Sequence, residues 1–91
     1  MSVKLDAEGA LAFPCRYPVK AMTHVREKAL DQVFTAISGQ GAQPDRASVT
    51  LRPSRNGRFQ SITIEVHVQS RTQLEAVYSG LRALDVVVMT L

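Results

Sequence analysis

The side chains of this chain that could do chemistry are few and scattered. Its single cysteine, Cys15, and its two histidines, His24 and His67, could in principle form a thiolate–imidazole pair. No acid stands at a spacing that would orient either imidazole, and a lone Cys after a proline (Pro14) reads as a small packed residue. One Cys and two His also lack any zinc-ligand spacing, so no metal and no cofactor is expected. Four arginines, Arg46, Arg52, Arg55 and Arg58, lie in a stretch without an acid between Asp45 and Glu65. A guanidinium fork suits carboxylate or phosphate, so Arg52, Arg55 and Arg58 form a candidate anion site.

Positioning such groups takes a folded domain, and the chain has material for one. It is 91 residues long, 45% apolar and 21% charged, with 11 basic and 8 acidic residues giving a net charge of +3. That composition excludes a disordered tail, and five glycines and one cysteine exclude collagen-like and disulfide-rich scaffolds. No apolar run approaches the roughly 20 residues of a membrane helix, and the start lacks a signal-peptide core. The expectation is a cytoplasmic protein without a membrane partner. The modest positive charge permits an anionic partner without demanding one.

The elements follow from periodicity. Residues 1–12 read as a flexible N-terminal arm, and 13–91 as a single domain. Tyr17–Met22 alternates as a first strand. Leu30, Val33, Phe34 and Ile37 form one helical stripe within Arg26–Ser38, with Thr23 or His24 near the helix start and a left-handed glycine at its end. Two alternating runs, Ala47–Arg52 and Phe59–Val68, flank Asn56-Gly57, the preferred pair of a two-residue type I′ hairpin. This turn opposes Arg55 to Arg58, Ser54 to Phe59, Arg52 to Ser61, Leu51 to Ile62, Thr50 to Thr63, Val49 to Ile64, Ser48 to Glu65 and Ala47 to Val66. The apolar residues of both runs then share one face, which a slip by one residue would destroy. Pro53 cannot donate a ladder bond, so its strand belongs at an edge. Ser70 and Gln73 form a capping box ahead of a second helix with Leu74, Val77, Tyr78, Leu81 and Leu84 on one stripe. Val86–Leu91 is a buried last strand.

The order strand, helix, strand, strand, helix, strand predicts an α+β domain. It is the ferredoxin-like βαββαβ sandwich, a four-stranded antiparallel sheet with two helices on one face. The uncovered sheet face carries Ser48, Thr50, Arg52, Phe59, Ser61, Thr63, Glu65 and His67, with Lys20 and Met22 from the first strand and Val86 and Val88, or their neighbours, from the last. Of these, Lys20, Met22, Arg52, Phe59, Ser61 and Thr63 are the candidate binding residues. RNA-recognition domains of this topology stack bases on paired aromatics; here Phe59 stands alone and Glu65 repels phosphate, which argues against nucleic acid.

Four stretches carry a family resemblance. They are Phe13-Pro14-Cys15 with Tyr17–Met22, Arg52–Ser61, Tyr78–Leu81 and Val88–Leu91. The chain resembles the YbeD-like family of small bacterial proteins of unknown function, often labelled lipoate regulatory proteins. The resemblance implies a ferredoxin-like fold similar to the ACT regulatory domains and a link to lipoate metabolism; it implies no catalytic residues. Family members commonly carry Gly after the Met that ends the first strand, where this chain has Met22-Thr23-His24. The functional expectation is a non-enzymatic regulatory or adaptor domain that pairs its open sheet face or edges with itself, as a homodimer, or with another protein. The alternative is a small anion- or metabolite-binding module using the hairpin arginines.

Overall fold

The computed structural model describes residues 11–91. Of the expected N-terminal arm, residues 1–10 lie outside the described residues; Leu11 packs against the core beside Phe13. The elements run β1 (Cys15–His24), α1 (Ala29–Ser38), β2 (Gln43–Pro44), a short 3-10 helix (Arg46–Ser48), β3 (Thr50–Pro53), β4 (Phe59–Val68), α2 (Arg71–Arg82) and β5 (Val87–Thr90). This is the expected ferredoxin-like α+β architecture. The antiparallel sheet has the order β2-β4-β1-β5, and β3 also pairs with β4.

β1 and β4 form the spine, paired without interruption from Cys15↔Val68 to His24↔Phe59. Alternation assigns their faces. Val19 and Ala21 of β1 and Ile62, Ile64, Val66 and Val68 of β4 are buried under the helices. Val33, Phe34 and Ile37 of α1 and Leu74, Val77 and Leu81 of α2 complete that layer. β1 runs two residues further at each end than its alternation indicates. Thr23 and His24 are therefore strand residues and not the start of α1, which begins at Ala29. At the end of α1, Gly39 stays right-handed (φ −62°) and Gly41 takes the left-handed position (φ 81°). The α2 cap forms as a variant of the expected box. The Ser70 hydroxyl accepts from the Gln73 N–H at 3.1 Å, and Gln73 Oε1 accepts from the N–H of Gln69, one residue before Ser70.

The hairpin register is the expected one: Thr50↔Thr63, Leu51↔Ile62, Arg52↔Ser61 and Pro53↔Gln60. Pro53 sits on an edge strand, where its missing N–H costs no ladder bond. The turn differs. Among the described residues no non-glycine has positive φ, so Asn56 is not the first residue of a type I′ turn; Gly57 alone is left-handed (φ 74°). Arg55–Arg58 is a four-residue loop closed by Ser54 N–H to the Phe59 carbonyl at 2.8 Å. The Asn56 side chain stabilises it by accepting from the Arg58 N–H and the Ser54 hydroxyl.

The edge strand itself is broken. Ala47 does not oppose Val66, nor Val49 Ile64; Pro44 of β2 pairs with Val66 instead. Asp45 starts the 3-10 helix, its carboxylate accepting from the Ala47 N–H at 2.9 Å. Leu51 keeps its register yet is 49% exposed, because the two-helix layer does not extend over the edge. Val86 is buried and is not part of the open face. Its carbonyl accepts from the His24 N–H just before β5 begins.

Candidate functional site

The sheet face away from the helices is built from every second residue of the two long strands. β1 contributes Arg16, Pro18, Lys20, Met22 and His24; β4 contributes His67, Glu65, Thr63, Ser61 and Phe59 opposite them in that order. Three zones follow along the strands. The first is ionic. Arg16 donates from Nε to Glu65 Oε1 and from Nη2 to Asp45 Oδ2, both at 2.8 Å. Its hydrogen bond, seconded by that of the Ala47 N–H, holds the Asp45 carboxyl below the usual range. The same two carboxylates raise the pKa of Arg16.

The second zone is a depression of about 370 Å³ between β1, β4 and β3. Lys20, Arg52, Thr50, Ser61 and Thr63 line it, with Leu51 and Pro53. The third zone is apolar. Met22 lies opposite Met89 of β5, the His24 and Phe59 rings are 5.4 Å apart and tilted at 42°, and Val88 and Met89 are 46% and 47% exposed.

The six residues expected to bind therefore divide between two neighbouring zones. Lys20, Arg52, Ser61 and Thr63 share the depression, and Met22 and Phe59 lie in the apolar zone. The four arginines do not form one cluster. Arg46 turns to the helix side, its guanidinium carbon 4.3 Å from the centroid of the Phe34 ring. Arg55 and Arg58 are exposed at the loop tip, and neither lines the depression. Arg52 is thus associated with Lys20 in place of its hairpin neighbours. The ion-pair hub at Arg16 had a sequence signal only in part: an Asx-turn pattern at Asp45-Arg46-Ala47-Ser48 marks the break in the strand but not the partner of Asp45.

Cys15 is buried in the core with a free thiol. His67 is exposed beside the ionic zone, while His24 leans on Phe59. Among the described residues no group of three or more His, Cys, Asp or Glu gathers to hold a metal ion. No helix among them is long and apolar enough to cross a membrane. On the core side of the sheet, Tyr17 and Tyr78 meet edge to face at 6.5 Å. Burial first, and then the neighbouring Tyr17, push the Tyr78 hydroxyl up to about 12.

Comparison with known proteins extends this picture. The chain is 37% identical over 82 residues to a UPF0250 protein of Azotobacter vinelandii, covering 89% of each chain. It is 32% identical over 93 residues to a UPF0250 protein of Vibrio cholerae, covering 100% of this chain and 99% of the relative. A UPF0250 protein of Nitrosomonas europaea is 30% identical over 87 residues, 96% of this chain and all of the relative. The solution structure of protein HP0495 from H. pylori superposes with a TM-score of 0.75 at 15% identity, covering 100% and 97% of the two chains. That likeness establishes the shared fold. Residues 8–91 match the family described as "Protein of unknown function (DUF493)", and with these relatives they place the chain in that family of bacterial UPF0250 proteins, the YbeD-like proteins its sequence resembles.

Proposed function

We propose that this protein is a non-enzymatic regulatory or adaptor domain that works by pairing its open sheet face with a second copy of itself. The observation that carries this reading is the one-sided sandwich. Both helices pack on the same face, and among the described residues no helix or strand covers the other, where Met22, Met89, Val88 and Phe59 form an apolar zone. The apolar zone supports a like partner: a two-fold axis through it lays Met22, Phe59 and Met89 of one copy against those of the other. A sheet-face dimer needs about 800 Å² per partner, a size within reach of a face built on two ten-residue strands. A link to lipoate metabolism, implied by the family resemblance, belongs to this proposal too, and copurification of lipoate-carrying or lipoate-attaching proteins from the native host tests it.

Sedimentation equilibrium tests the pairing. A dimer is expected, and Met22→Asp and Phe59→Asp each shift it toward monomer by burying an unpaired charge. A strict monomer at high concentration overturns the reading. So does a dimer indifferent to both substitutions.

A further inference from the structure

The depression on the open face has a chemistry that pairing does not use. Lys20 and Thr50 both stand opposite Thr63, from the two edges of β4, and Arg52 stands opposite Ser61. The alternation of the strands puts all five side chains on one face. With strands about 4.8 Å apart, the backbones of Lys20 and Arg52 are separated by roughly 10 Å or slightly more, a gap that two long side chains close around a small ion. Among the described residues neither cation has an ion-pair partner. The acids nearest along this face, Asp45 and Glu65, are both held by Arg16 at 2.8 Å. The free volume of about 370 Å³ is within the range of small-molecule sites.

We propose that this depression binds the phosphate group of a small phosphorylated metabolite. Two cations match the charge of about −1.5 to −2 that a phosphate monoester carries at neutral pH. Three hydroxyls, an ammonium and a guanidinium supply donors for its three terminal oxygens, whereas a carboxylate, with one charge and two oxygens, leaves a cation and several donors unmatched. Arg52 takes two oxygens with its planar fork, and Lys20 acts as a point charge from the opposite side.

The test is a titration of the full chain with glycerol 3-phosphate and with acetate, at fixed ionic strength and well above the second phosphate pKa of about 6. Amide NMR signals of Thr50, Ser61 and Thr63 report binding. Saturable shifts are expected with glycerol 3-phosphate, and acetate should bind at least roughly tenfold more weakly. Lys20→Gln and Arg52→Gln each reduce affinity by roughly tenfold or more, the loss expected of one charge-assisted hydrogen bond. Lys20→Arg retains binding, and the double variant Arg55→Gln, Arg58→Gln changes it by less than about twofold because those residues lie outside the depression. Non-saturating shifts, acetate binding as tightly as the phosphate ester, or a loss in the loop-tip variant equal to that of Arg52→Gln would each overturn the proposal.

Discussion

Arg16 holds Asp45 across 29 positions of chain, Nη2 to Oδ2 at 2.8 Å, and the same guanidinium holds Glu65. The contact ties the broken edge strand to the spine of the sheet. It also sets a pH dependence. The folded-state pKa of Asp45 lies below its ordinary 3.8, so the stabilisation is complete above that value and is lost as pH falls through the lower, folded one. Carboxyl NMR titration should therefore place the Asp45 midpoint under 3.8, and Arg16→Gln should return it toward that figure. An unchanged midpoint in the variant would assign the shift to the Ala47 N–H instead.

Ser48 replaces a ladder partner. Its hydroxyl donates to the Asp45 carbonyl at 2.7 Å and accepts from the Glu65 N–H at 2.8 Å, where a regular strand would have supplied a backbone carbonyl. Ser48→Ala removes both bonds and leaves a half-buried amide unpaired, at a cost of about 1–3 kcal/mol. Urea denaturation reads the loss, and faster hydrogen exchange at the Glu65 amide localises it. Exchange unchanged at Glu65 would contradict this role.

Leu51 and Leu81 are the same residue type in opposite settings. Leu81 is fully buried between the helices and the sheet, and Leu51 is 49% exposed on the edge. Leu81→Ala should cost about 2–5 kcal/mol through lost burial and a cavity. Leu51→Ala should stay near 0.5 kcal/mol, roughly the range of surface substitutions. Comparable losses in denaturation would mean that the edge is packed more tightly than its exposure indicates.

Tyr78 titrates late. Its hydroxyl is pushed up to about 12 from 10.0, by burial above all and then by Tyr17. A raised folded-state pKa contributes stability that is complete below 10.0 and lost as pH rises toward about 12. Ultraviolet titration of tyrosine ionisation should resolve one late group in the native protein. Tyr17→Phe should bring it to lower pH, since it removes the neighbouring phenol.

The sequence by itself determined the order of the two helices and four main strands, both helix stripes, the Ser70 cap and the pairing of β3 with β4, but not β2 or the 3-10 helix. Each of these depends on nearby residues or on the two-residue period of strands. Parity is robust: the register Leu51↔Ile62 holds although the turn is not type I′, because a slip of one residue would turn Leu51 to the face of Thr63 and the charged Arg52 to the face of Ile62. What only the tertiary structure decided depends on partners distant in the chain. Ala47 and Ser48 alternate like strand residues, yet the Asp45 side chain and the Ser48 hydroxyl outbid the ladder once Arg16 and Glu65 are within reach. Four arginines close in sequence were separated in space, Arg46 to a helix-side ring, Arg55 and Arg58 to a loop tip, and Arg52 to the depression it shares with Lys20. Local spacing gives each side chain a face, but which charges meet on that face depends on which strands become neighbours.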